Sequence, residues 1–341
     1  MIRPLLALLF TPLVASAADK PDFPEPHRTS ATEPVRKEWS AKKAAEYLDG
    51  VGVNWTRDRK CVTCHTNMPY LMARPLLADH GDAGWKEVRK FLADDVTAWG
   101  NGGKPRGDAY VVATAAALAV DDARTGKLRP ETRAVLDRMW TVQTKGGAWN
   151  WLKCDWPPLE HDDYYGATLA AVAVGVAPEK YADTEGAKSG IAKLKAYFAK
   201  TPAPDLHHRL MLLWAATKTD GLMSADERKA AVAEVRKLQH ADGGWCLPSL
   251  GAYKRRDKEK TPNDSKADSD GYATGFTVFV LRQAGVPTDD PAVANGVAWL
   301  KANQRESGRW YTRSLNNDKE HYIANAGTAF AVMALAACGA K

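Results

Sequence analysis

The stretch "QTKGGAW" at residues 143–149 returns as "QHADGGW" at 239–245 and "QRESGRW" at 304–310, three copies of Q-x-x-x-G-x-W. Each closes an amphipathic segment that reads as a helix, at 131–142, 225–238 and 292–303. Ser224-Ala-Asp-Glu227 is a capping-box start for the second, and Pro291 after two aspartates starts the third. A small-residue stretch that is apolar almost all round follows each copy: "YYGATLAAVAVG" at 164–175, "GYATGFTVFVLRQAG" at 271–285 and "YIANAGTAFAVMALAACG" at 322–339. Such helices are suited to burial on every side. The repeating unit is therefore an outer amphipathic helix, a Gln/Gly/Trp turn and an inner buried helix.

Degenerate copies fill the rest of the chain. Trp85 to Trp99 precedes "AYVVATAAALAV", and Gly190 to Ala199 precedes "HHRLMLLWAAT". A first copy runs from Ala41 to Leu48, through "DGVGVNW", into "HTNMPYLMARPLL". Gln239 lies 96 residues after Gln143, two units of about 48 residues, which leaves room for one degenerate copy between them. The count is six helix pairs.

With its three motif copies the chain resembles the squalene-hopene cyclases and related triterpene cyclases, whose toroid is similar to that of protein prenyltransferase β subunits. The resemblance implies an all-α fold, a single-domain (α/α)6 toroid over residues 39–341. It does not carry the chemistry across. Cyclases of this type protonate their substrate from a D-x-D-D motif, and the nearest approach is Asp268-Ser-Asp270-Gly. The zinc motifs of the prenyltransferases have no match either, so fold likeness alone licenses neither activity.

What the chain has instead is "RKCVTCHTNMPY" at residues 59–70, which contains C-x-x-C-H. Cys61 and Cys64, about one helical turn apart, would form thioethers with the vinyl groups of one covalent haem c, and the adjacent His65 would be the proximal iron ligand. A zinc reading is weaker, because structural zinc takes four ligands and no second C-x-x-C or H-x-x-x-H is present. Aligned on the repeat, His65 stands where a loop enters an inner helix. Asp108, Asp163, His207, Asp270 and His321 hold that place in the later units, so the haem is expected at the mouth of the ring.

Ring closure sets the sixth unit beside the first, which makes His321 the first candidate for the distal iron ligand. His161 is a second, with His207, His208, Met139 and Met211 behind them. Met68 and Met72 share the helix of His65 and are expected to pack. Tyr110, Tyr164, Tyr165, Tyr272 and Tyr322 recur at inner-helix starts, where rim packing with satisfied hydroxyls is expected. His27, His80 and His240 fall in tails or outer turns. A charged insertion, "YKRRDKEKTPNDSKADSD" at 253–270, is expected to be a solvated loop whose basic half could steer an acidic redox partner.

Residues 1–17 read as a signal peptide: Arg3, an apolar run from Leu5 to Val14, then Ala15-Ser16-Ala17. A proline-containing arm, 18–38, follows. The run is too short for a membrane anchor, and no later stretch reaches about 18 apolar residues. The expectation is an exported protein, periplasmic or secreted, with no transmembrane anchor. That compartment favours a disulfide, for which Cys154 and Cys246 are the candidate pair, while Cys338 is expected to be a buried thiol. The 341 residues are 45% hydrophobic and 26% charged, with a net charge of +6 spread along the chain. Nucleic acid is not implied as a partner.

The leading functional expectation is an exported monohaem c-type cytochrome on a squalene-cyclase-like toroid, carrying out electron transfer or haem redox chemistry at the cavity mouth with a redox partner protein. The alternatives are a haem enzyme acting on a small or apolar substrate in the cavity, a haem-based ligand sensor, and a divergent terpene cyclase.

Overall fold

A computed structural model describes residues 21–154, 156–257 and 263–340; the signal-peptide reading lies outside them. The described residues form six antiparallel helix pairs. The outer members are α1 (Ala41–Arg59), α3 (Ala83–Gly100), α5 (Pro130–Thr141), α7 (Glu185–Lys200), α9 (Ala225–Lys237) and α11 (Pro291–Ala302). The inner members are α2 (Asn67–Ala73), α4 (Asp108–Ala123), α6 (Asp163–Val176), α8 (Leu206–Ala216), α10 (Gly271–Gln283) and α12 (Ile323–Ala337). Each inner helix packs on the next, and α12 packs back on α2, which closes an (α/α)6 toroid. Nearly every residue of α4, α6, α8, α10 and α12 is buried, as helices enclosed on all sides require.

The three Gln/Gly/Trp turns each fasten their unit to the next. Trp149, Trp245 and Trp310 are buried, and each indole N–H donates to a carbonyl near the end of the outer helix before it: Met139 at 2.8 Å, Val235 at 2.7 Å and Leu300 at 2.7 Å. The Gln143 amide donates to the Gly147 carbonyl and to Gly190 of α7, and Gln239 bridges Gly243 and Ala292 of α11. Gln304 makes the closing joint. Its amide donates to Gly308 O (2.9 Å) and Ser40 O (3.0 Å), while its carbonyl accepts the Ser40 N–H at 2.6 Å. Ser40 is the N-cap of α1, so the sixth unit grips the first.

The arm crosses this seam. Arg36 N–H donates to Gln304 O, Glu306 N–H donates to Pro34 O, and Glu33 pairs with the buried Arg309 at 2.8 Å. Within the first unit, Arg74 is buried and forms a bidentate pair with Asp49 at 2.8 Å, to which Tyr70 also donates, tying α2 to α1.

Three readings need correction. The first outer helix does not end at Leu48 but runs to Arg59. Gly50 and Gly52 lie inside it, where Pro24, Pro26 and the Tyr70 ring occupy the space that a Cβ would need. The insertion is not wholly solvated: Tyr253 is buried, and buried Arg255 binds the Ser314 carbonyl, Asp257 and Asp318. Cys154 and Cys246 do not pair. Cys154 is exposed, whereas buried Cys246 turns its thiol to the Ser265 carbonyl.

Candidate functional site

The loop between α1 and α2 carries the C-x-x-C-H segment. Lys60 ends α1 in a left-handed conformation and turns the chain inward. Asn67 then pins the loop, its carbonyl accepting Thr63 N–H at 2.8 Å and its amide donating to Cys61 O at 2.8 Å. Cys61 and Cys64 are both free thiols and line one cavity of about 230 Å³ with Tyr110, Asn150, Trp151 and Leu152. Burial pushes the Cys64 thiol well up. Cys64, Tyr165 and Tyr272 come from the first, third and fifth units, yet each is near enough to affect another's ionisation. Alternate units therefore converge on the motif.

His65 is buried on a platform of aromatic rings. It stacks on Tyr322 (centroids 5.1 Å, 13° between planes) and meets Trp55 edge to face at 4.9 Å. Its Nδ1 is held at 2.7 Å from Thr66 Oγ1, which also accepts from Asn325 of α12 at 3.0 Å. Burial pushes the imidazole pKa down to about 3, so the ring is neutral with Nε2 directed away from the Thr66 bond. Nε2 faces the carboxyl of Glu160 at 3.8 Å. Because the ring is neutral, this contact is not an ion pair.

Glu160 belongs to the loop before α6, which Trp151 braces by donating to Leu159 O at 2.8 Å. The Glu160 amide closes the turn onto Trp156 O at 3.0 Å. Burial pushes this carboxyl up to about 7, against a smaller downward pull from the Cys64 N–H. No sequence signal marked Glu160. Its role depends on a loop of the third unit folding across the first.

The other candidates are distributed around the ring. His321 accepts the Ser314 N–H at its Nδ1 and sits edge-on to Tyr311, and it is the next residue, Tyr322, that lies on His65. His161 places its ring edge-on to Tyr253. Met68 and Met72 are buried in α2, and Met139 and Met211 are also buried. His207 and His208 are buried at the start of α8: His207 Nε2 meets the Tyr272 hydroxyl at 2.8 Å, and His208 lies between Asp205 (2.7 Å) and Asp162 (2.9 Å). Phe276 stacks on His207 and meets Phe330 edge to face, and Trp214 joins this aromatic row through Phe279. Of the tyrosines, Tyr110 donates to Asp95 at 2.5 Å, and Tyr164 packs edge-on to His208.

The donor set suits a covalent haem: two unpaired thiols on one cavity and a neutral buried imidazole oriented through Nδ1, as metal-bound histidines are. Among the described residues no helix is long and apolar enough to cross a membrane.

Residues 208–337 match the family model of the squalene-hopene cyclase C-terminal domain. Similar solved structures include a possible GH105 family member from Salmonella enterica serovar Paratyphi A (TM-score 0.53, 10% identity, covering 87% of this chain and 92% of that one). A possible GH105 member from Klebsiella pneumoniae has a TM-score of 0.53 at 9% identity, covering 87% and 91%. A polysaccharide lyase gives 0.53 at 9% identity, covering 87% and 97%. No curated protein sequence matches the chain. At these identities the likeness concerns the toroid fold, which terpenoid cyclases and glycosidase or lyase families share.

Proposed function

We propose that the protein is an exported haem protein, a monohaem c-type cytochrome in which Cys61 and Cys64 bind the haem covalently and His65 holds its iron. One observation carries this reading: a neutral, buried imidazole braced by Thr66 and Asn325, beside two unpaired thiols on a common cavity. When bound, haem would supply one-electron redox chemistry. The chain's own part is to orient His65 through Thr66, exclude water with Trp55 and Tyr322, and offer the C-x-x-C thiols at the ring mouth.

The test is expression in cells that attach haem, followed by mass measurement of the denatured chain and a pyridine haemochrome spectrum. One haem per chain should survive denaturation and vanish in the Cys61→Ser, Cys64→Ser variant. A chain of unmodified mass from haem-attaching cells would overturn the proposal.

A second reading, a haem enzyme, draws on Glu160. Its carboxyl faces His65 Nε2 from the opposite loop and exchanges a proton near neutrality, a property suited to general acid–base work. A reduced protein that is six-coordinate and inert to carbon monoxide would eliminate it.

A further inference from the structure

The start of α8 holds a second cluster, in which Asp205, His207 and His208 each offer one ligand atom, all within 4.8 Å of one another. His207 and His208 are fully buried. The His207 Nε2 is taken by the Tyr272 hydroxyl at 2.8 Å, while its Nδ1 is buried with no hydrogen-bond partner in the protein. A buried polar atom left without a partner is destabilising, so the arrangement calls for a ligand at that nitrogen.

The atoms facing away from the cluster are all engaged. His208 Nε2 faces Asp162 Oδ2 at 2.9 Å, His207 Nε2 faces Tyr272, and Asp205 Oδ2 accepts from Tyr253 at 2.6 Å. Asp205 Oδ1 and His208 Nδ1 are held against each other at 2.7 Å by one hydrogen bond, and His207 Nδ1 is the atom left without a partner. Oriented imidazoles backed by a carboxylate or hydroxyl are how proteins set metal ligands. Asp205 and the backing Asp162 carry the negative charge, and a divalent cation would take the place of the proton that His208 holds between them.

We infer that Asp205, His207 and His208 form a binding site for a divalent transition-metal ion of the zinc class, buried between α6, α8 and α10. The donor set, two nitrogens and one oxygen, suits a borderline ion and leaves one position for water or another ligand. Asp162, Tyr253 and Tyr272 orient the three ligands. The three ligands lie outside the C-x-x-C-H loop, with Tyr272 standing between the two places, and binding there does not require haem.

Full-length, metal-stripped protein would be titrated with zinc(II), and separately with cobalt(II) to read coordination by absorption. The expected result is one zinc per chain and cobalt d–d bands of a low-symmetry site without thiolate charge transfer. Asp205→Asn and His207→Gln should weaken zinc by more than about tenfold, and Asp162→Asn by roughly 10–100-fold. Asp95→Asn, which disturbs only the Tyr110 partner, should leave it unchanged. Absence of stoichiometric zinc in the wild-type chain would overturn the inference. So would thiolate charge-transfer bands that disappear in Cys61→Ser, Cys64→Ser, or a folded His207→Gln chain that binds as the wild type does. Should the ligand variants fail to fold, the wild-type stoichiometry and cobalt spectrum still decide.

Discussion

Gly308 and Gly102 share a backbone φ of +95°, but their surroundings differ. Around Gly102 a Cβ would find nothing within 4 Å, whereas at Gly308 it would run into the Lys43 carbonyl and lie 3.0 Å from the Ala44 amide. An alanine at either position carries the left-handed strain of about 1–2 kcal/mol. At Gly308 the first turn of α1 must also move, and Gln304 loses its two bonds to Ser40. Orphaning such buried partners adds roughly 2–4 kcal/mol. Gly308→Ala should therefore cost about 3–6 kcal/mol against about 1–2 for Gly102→Ala, a large share of the ~5–15 kcal/mol that holds a typical protein folded. Urea unfolding followed by circular dichroism measures both. Equal losses within about 0.5 kcal/mol would refute the idea that the sixth unit is locked onto the first at this point.

Other consequences can be tested with the same material. Gln304→Ala should destabilise more than Gln143→Ala by about 1 kcal/mol or more, because Gln304 is fully buried and accepts the Ser40 N–H as well as donating to two carbonyls; denaturant midpoints decide. In the haem-free Cys61→Ser, Cys64→Ser chain, His65 should make the fold acid-sensitive. Its folded pKa, about 3, lies below the unfolded 6.5, so its contribution is complete above pH 6.5 and is lost as the pH falls. The loss amounts to roughly 3 kcal/mol by pH 4, and His65→Phe should flatten that slope in pH-dependent unfolding. If the haem enzyme reading holds, cyanide association with the oxidised protein should step near pH 7, and Glu160→Gln should remove the step without changing covalent haem content.

The toroid could be read from sequence because its signals are local and repeated. Gln143, Gln239 and Gln304 all stand four residues before a glycine and six before a tryptophan, and in each case the hydrogen bonds explain the spacing. The motif loop was equally plain, since Cys61, Cys64 and His65 are contiguous. Glu160 was not visible as a site residue, because it acquires meaning only from His65 in another unit, and Thr66, although next to His65, carries no signal until its hydroxyl is seen against the ring and Asn325. Arg255 shows the opposite error: a run of lysine and arginine looks solvated until Ser314 and Asp318 are found beneath it.

The departures from regularity themselves bear on function. Unit one extends its outer helix to Arg59 and shortens its inner helix to Asn67–Ala73, continued by a 3-10 stretch, Arg74–His80. In unit three the loop between Trp149 and α6 folds across to unit one. A toroid needs neither feature to close. They meet at one place, where Glu160 of unit three faces His65 of unit one across 3.8 Å. Two loops from non-adjacent units meeting at one buried imidazole are better explained by chemistry at that imidazole than by folding. If so, shortening the 152–160 loop should leave the fold stable while changing access to the haem. A truncated loop that unfolds the whole ring would mean that the loop serves the architecture instead.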